Sequence, residues 1–171
     1  MDQNSHPMET VLGEIERALN AELYYLAVVL ALTLPDMCAA LESDDGRTAP
    51  DKYKAWYDAN LAGEFGWLTA ADCYSIRCGV VHQGRLGFPG KQFARIIFSV
   101  PTPQRNIFHN NVINDALQFD AVLFTRTIVN AVRRWMRLSA ANPNVQANLP
   151  NLIQYRPQGW APYIVGTPII A

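Results

Sequence analysis

The feature that most constrains the fold is an apolar stripe near the start of the chain. Leu12, Ile15, Leu19, Leu23, Leu26, Leu30 and Leu34 recur at spacings of three and four, the period of one helix face. Beyond Glu22 the other faces turn apolar as well, through Tyr24, Tyr25, Val28 and Val29. A helix that is apolar all round belongs at the centre of a bundle. Pro35 is expected to interrupt it, leaving Asp36 to Glu42 as a short second helix that ends at the polar loop Ser43 to Thr48. Pro50 suits the first position of a third helix, whose stripe is Tyr53, Trp56, Tyr57, Asn60 and Leu61 and whose stop is Gly63 and Gly66. Thr69 is the expected N-cap of a fourth, running from about Ala70 to His82 with Gly84 placed to terminate it.

The period then changes. Ala94, Ile96, Phe98 and Val100 alternate with Phe93, Arg95, Ile97 and Ser99, and Pro101-Thr102-Pro103 forces a turn, so a β-hairpin is expected over about 92–113. From Asn114 the helical period returns, with Leu117, Ala121, Phe124, Ile128, Val132 and Trp135 on one face and Arg126, Arg133 and Arg137 on the other. That basic stripe reads as a solvated outer face or as a contact for an anionic partner such as RNA phosphate. The last thirty residues hold five prolines and a single charge, Arg156, which excludes helix there. Tyr155, Trp160, Tyr163, Ile164, Val165, Ile169 and Ile170 make this tail too apolar for ordinary disorder, so it is expected to lie as an arm on its own domain or on a neighbouring subunit. The reading is a mainly α protein: a helical domain over 1–141 with an inserted hairpin, and an extended proline-rich C-terminal arm over 142–171.

Composition narrows function. With 171 residues, half of them hydrophobic, the chain buries about two-thirds of its unfolded surface and needs neither disulfides nor structural metal to fold. A net charge of −1 argues against constitutive high-affinity nucleic-acid binding but leaves a local basic patch open. Cys38, Cys73 and Cys78 are an odd set, and Met1 to Pro7 lack the basic region of a signal peptide. The apolar run Leu23 to Leu34 is too short to cross a bilayer. A cytoplasmic protein without membrane attachment is expected.

The fourth helix, Asp72-Cys73-Tyr74-Ser75-Ile76-Arg77-Cys78-Gly79-Val80-Val81-His82, concentrates the reactive side chains. A zinc site from Cys73, Cys78 and His82 is disfavoured, because nine residues of helix set Cys73 and His82 about 180° apart. A Cys78 nucleophile with His82 as base has the better i, i+4 geometry but no orienting acid. Arg77 and His82 offer a third chemistry: a permanent planar cation for a phosphate and an imidazole that carries a proton near neutral pH. Five residues of helix turn by about 140°, so the two diverge within one chain unless the arginine folds over, and two antiparallel copies provide an alternative route to a shared site. Gly79 either permits that crossing or packs within the monomer. His6 and His109 read as incidental.

The stretch Tyr74 to Gly84 resembles the signature helix of the HEPN superfamily, an arginine and a histidine separated by four to six residues. The long apolar helix, the aromatic helix around Lys52-Tyr53-Lys54-Ala55-Trp56-Tyr57 and a closing long helix resemble its surroundings over roughly 8–140. The resemblance implies a helical bundle that forms a homodimer with the motif helices facing each other. It further implies metal-independent ribonuclease activity without a cofactor, as in toxins restrained by antitoxin or sensor proteins and in phage-defence effectors. On this chain Arg77 would hold the scissile phosphate and His82 would move the proton, with Tyr74, Cys78, Lys52 and Lys54 as substrate contacts. Cys78 stands where the family usually carries a more polar residue. A silent nucleotide-binding or assembly module is the competing expectation.

Overall fold

The computed structural model describes residues 6–87, 92–104 and 106–171, and Arg105, inside the expected hairpin, and the residues before His6 lie outside that description. Helix α1 (Pro7–Asn20) starts on Pro7, with His6 Nδ1 accepting the Met8 N–H, and buries Met8, Leu12, Ile15, Ala18 and Leu19. It does not run on to Leu34. Glu22 adopts a left-handed φ of +60°, and the Glu22 and Leu23 N–H groups donate back to the carbonyls of Leu19 and Ala18. This is a Schellman stop with a glutamate where glycine is usual. The leucine periodicity spans the break, but Leu23 and Leu26 are exposed, and beside Leu34 the core is carried by Ala27, Val28, Ala31 and Leu32.

Helix α2 (Tyr24–Glu42) then passes straight through Pro35, so the expected interruption and separate short helix are absent. Proline costs about 3 kcal/mol inside a helix. That cost is outweighed here because α2 packs against α1 and four later helices, and Pro35 is itself buried. Neighbouring carbonyls also gain side-chain donors: Thr33 Oγ1 reaches Leu30 O at 2.7 Å and Tyr53 Oη reaches Leu32 O at 3.1 Å. At 19 residues α2 is long and apolar enough to cross a membrane, contrary to the estimate from the shorter run, but 56% of its most apolar window is buried inside the protein.

Helix α3 (Pro50–Leu61) buries Tyr53, Trp56, Tyr57 and Leu61, and helix α4 (Ala70–Gln83) follows as the sequence predicts. Thr69 Oγ1 accepts the Asp72 N–H at 3.1 Å, and Gly84 closes α4 at φ +64°.

The β region differs from a hairpin of 93–100 with 106–113. Strands β1 (Arg95–Ser99), β2 (Asn111–Ile113) and β3 (Ala116–Asp120) form a sheet of order β1-β3-β2, with β1 parallel and β2 antiparallel to β3. The hairpin is β2-β3, turned at Asn114, whose φ is +54°. Residues 116–120, expected as helix, are the central strand: Leu117 and Phe119 are fully buried there, and Asp120 ends the strand by capping helix α5 (Ala121–Ser139). Asp120 Oδ1 accepts the N–H groups of Val122 and Leu123 at 2.9 and 2.8 Å. Phe65, Phe98, Phe119 and Phe124 interlock between sheet and helix.

The tail also corrects its expectation, since it opens with helix α6 (Pro143–Asn148). Pro143 occupies the first turn, where its missing N–H costs nothing, and Asn142 caps it. Asn144 and Asn148 donate to the carbonyls of Glu42, Leu41 and Ser43, fastening α6 to the C-terminal end of α2. After a 3-10 turn (Leu149–Asn151), Gln154 to Ala171 fold on themselves: β4 (Tyr155–Arg156) pairs with β7 (Ile169–Ile170) and β5 (Gly159–Trp160) with β6 (Ile164–Val165). No residue from Ile153 onward is buried.

Candidate functional site

Arg77 and His82 meet within one chain. The arginine folds along α4, and its Nη1 lies 3.2 Å from His82 Nε2, overcoming the helical divergence. What draws it there is Asp36, on the neighbouring α2: Arg77 Nε donates to Asp36 Oδ2 at 2.6 Å. Asp36 is the lone charge in the apolar stretch Tyr24 to Leu41, and Pro35 just before it leaves the helix continuous, so its carboxylate emerges beside α4. Thr48 Oγ1 donates to the other carboxylate oxygen at 3.3 Å. Burial raises the Asp36 carboxyl above its ordinary value, and Arg77 and Thr48 offset part of that rise. For Arg77, burial opposes the charge, but Asp36 and Cys78 outweigh it and hold the guanidinium above its usual range.

Arginine has donors only, so a hydrogen bond from Nη1 requires a lone pair on Nε2 and places the His82 proton on Nδ1. That is the form of an imidazole ready to accept a proton, and the ring is exposed to solvent. Cys78 Sγ is 4.0 Å from Arg77 Nη1, and the Tyr74 hydroxyl bonds to the same sulfur, which raises the tyrosine's pKa. Tyr74 packs edge-on against Tyr53 with ring centres 5.2 Å apart. Tyr74, Arg77, Cys78 and His82 therefore form one cluster on the last turns of α4, with Asp36 and Thr48 behind it.

Lys52 and Lys54 do not join it. Lys52 binds Asp45 and the Arg47 carbonyl, each at 3.0 Å, and Lys54 binds Asp51 at 2.8 Å. No hydrogen bond or ion pair among the described residues ties either lysine to the Arg77 cluster. The zinc arrangement is also excluded geometrically: Cys73 is fully buried, its thiol pushed up to about 12 by burial, and it faces Tyr53 Oη at 3.3 Å. No group of His, Cys, Asp and Glu suited to a metal occurs among the described residues. Gly79 is on the buried face of α4 and packs within the monomer. The α5 stripe is interrupted as well, because Arg133 bridges to Glu9 and Glu16 of α1.

Asp36 was not among the residues singled out from the sequence. An isolated carboxylate in an apolar helix needs a partner to offset its burial, and that signal was present in the chain. No family model matches the chain, and neither a curated protein nor a solved structure matches it.

Proposed function

We propose that the protein is a cytoplasmic, metal-independent endoribonuclease of the HEPN type, acting as a homodimer and needing no cofactor. The observation that carries this reading is the Arg77–His82 contact of 3.2 Å, with the arginine fixed from behind by Asp36. In this reading the guanidinium turns from Nε2 to a phosphodiester oxygen, where its charge offsets what develops in the transition state. His82 Nε2, so released, takes the proton of the ribose 2′-OH. The 2′-oxygen attacks phosphorus, the 5′-oxygen of the next nucleotide leaves, and the histidine returns the proton to it. The products are a 2′,3′-cyclic phosphate and a free 5′-OH. Tyr74 and Cys78 flank the bound phosphate, while Lys52 and Lys54 are left to the solvated face of α3.

One observation favours a second reading, a binding module. Asp36 already neutralises much of the Arg77 charge, which suits reversible capture of a nucleotide or RNA end.

Incubation of the pure protein with single-stranded RNA in EDTA separates the two. Cleavage with cyclic-phosphate ends, lowered at least about 100-fold in Arg77→Ala and in His82→Ala and unchanged in Lys54→Ala, is the expected result. RNA that stays intact but is bound supports the module. Cleavage surviving both alanine variants, or abolished by the chelator, overturns the enzyme.

A further inference from the structure

The hairpin from Gln154 to Ala171 is closed at its base by reciprocal backbone bonds between those two residues. Along it Tyr155, Trp160, Tyr163, Ile164, Val165 and Ile170 are 45–77% exposed. A two-stranded ribbon with nothing buried is marginal in water by itself, and apolar surface of this kind marks a contact site. Ile164 and Val165, neighbours on β6, point to opposite faces, so both faces of the ribbon are apolar. A protein surface laid against one face would leave the other in water, whereas immersion in a lipid interface covers both.

The backbone suits that medium, where main-chain polar groups find little water and need partners of their own. Pro157, Pro162 and Pro168 have no N–H to satisfy. β4 pairs with β7 and β5 with β6, and the N–H groups of Tyr163 and Gly166 donate to the carbonyls of Trp160 and Gln158 at 2.9 and 3.0 Å.

Charge identifies the kind of lipid. Residues 121–171 hold five arginines and no Asp or Glu. Arg133 and Arg134 meet glutamates of other elements, but Arg126, Arg137 and Arg156 take part in none of the ion pairs among the described residues. Arg156 lies over the Trp160 ring, 4.5 Å from its centre, and its Nε has no hydrogen-bond partner. The Trp160 and Tyr163 rings are in turn 5.8 Å apart, and an arginine beside tryptophan and tyrosine is the chemistry of the membrane–water boundary. Trp135 Nε1 donates to Glu42 Oε1 at 2.6 Å, and α6 is fastened to the carbonyls of Leu41, Glu42 and Ser43. Arg137, two positions after Trp135 and exposed, is therefore at the end of the bundle where the hairpin is rooted. The adjoining loop adds no net charge, because Arg47 and Lys52 match Asp44 and Asp45. We propose that the hairpin is a membrane-contact arm: Trp160 to Val165 dip into the interface of an anionic lipid leaflet, with Arg156 and Arg137 at its headgroups. The arm rests on one leaflet and does not span it, which departs from the sequence-based expectation of no membrane attachment. RNA fits less well, since Ile164, Val165 and Ile170 give a base no ring to stack on. Nothing in this depends on RNA cleavage, and the test reads no activity.

The full chain is floated with vesicles of phosphatidylcholine and phosphatidylserine at about 7:3, and with phosphatidylcholine alone. The expected result is flotation with the mixed vesicles, at least about tenfold weaker binding to phosphatidylcholine, and a blue shift of tryptophan emission that Trp160→Phe removes. Tyr163→Glu and Val165→Glu, both at exposed positions and with unchanged circular dichroism, weaken binding at least about tenfold. Arg137→Gln weakens it about fivefold, the share of one arginine near an anionic surface. Protein left unbound by the mixed vesicles, bound equally as parent and as both glutamate variants, or indifferent to phosphatidylserine overturns the proposal. A dimer or an RNA complex that Tyr163→Glu dissolves, in the absence of vesicle binding, overturns it as well and gives the hairpin to that partner.

Discussion

Asp36 acts on the candidate site through Arg77, whose Nε it accepts at 2.6 Å: in the proposed reading it is a positioning residue. Its side chain and that of Arg77 are 12% and 19% exposed, buried enough that the pair is not an ordinary surface salt bridge. Asp36→Asn keeps the shape and one acceptor for Arg77 Nε but removes the charge. The ionised carboxylate is itself disfavoured by burial, so the loss, about 1–2 kcal/mol, comes from leaving the part-buried Arg77 guanidinium without its counter-charge, and is read as a lower urea midpoint with unchanged slope. A midpoint equal to that of the parent protein would show that the pair contributes nothing to folding. Arg77→Lys tests geometry instead. One ammonium is a single point and does not reach Asp36 and His82 at once as the planar fork does, so the proposed cleavage is expected to fall about as far as in Arg77→Ala although the charge is kept. Retained cleavage in the lysine variant would reduce the role of Arg77 to simple charge.

Helix boundaries show where local sequence was legible and where long-range packing decided. Helix α4 could be read almost to the residue, because Thr69 and Gly84 act on backbone groups within a few positions of themselves. The amphipathic face of α5 was legible for the same reason, through Phe124, Ile128, Val132 and Trp135. Pro35 was misread because its cost is local while the packing that outweighs it comes from helices far away in sequence. Residues 116–120 carry an apolar pattern compatible with either period, and only pairing with β1 and β2 makes them a strand. Of the site, Arg77 and His82 were legible as a spacing, but Asp36, 41 positions earlier, was joined to them by the fold. The α1–α2 junction gives a test at this scale. Glu22 holds φ +60° with a side chain that disfavours it, and glycine meets no such penalty. Glu22→Gly is therefore expected to stabilise the protein by about 1 kcal/mol, seen as a higher melting temperature. A lower one would mean that the glutamate makes a contact worth more than the strain.

At the scale of the whole molecule, two histidines set aside as incidental make the fold acid-sensitive. His6 Nδ1 accepts the Met8 N–H at 3.2 Å at the start of α1, and His109 Nδ1 accepts the Asp120 N–H at 3.3 Å where β3 meets α5. Protonation turns both ring nitrogens into donors, so each bond is lost with the charge. His109 also lies against the rings of Phe65 and Phe119, which ties the loop after α3 to the sheet and to the cap of α5. Burial lowers both histidines below 6.5, and Glu9 and Asp120 offset only part of the shift. Between the lowered folded value and 6.5 the unfolded chain therefore binds protons that the native chain refuses. Their contribution to stability is complete above 6.5 and is lost as the pH falls through that window. Asp36 has the opposite sign, since its raised carboxyl keeps a proton longer in the folded state and its contribution declines as pH rises through the window that opens at 3.8. Melting at about pH 7.5 and about pH 5.5 should thus show a lower midpoint in acid. His109→Asn retains an acceptor at the same depth and takes up no proton, so it should shrink that difference, with the remainder left to His6. An unaltered acid shift in the variant would place the proton uptake elsewhere and leave His109 a packing residue only.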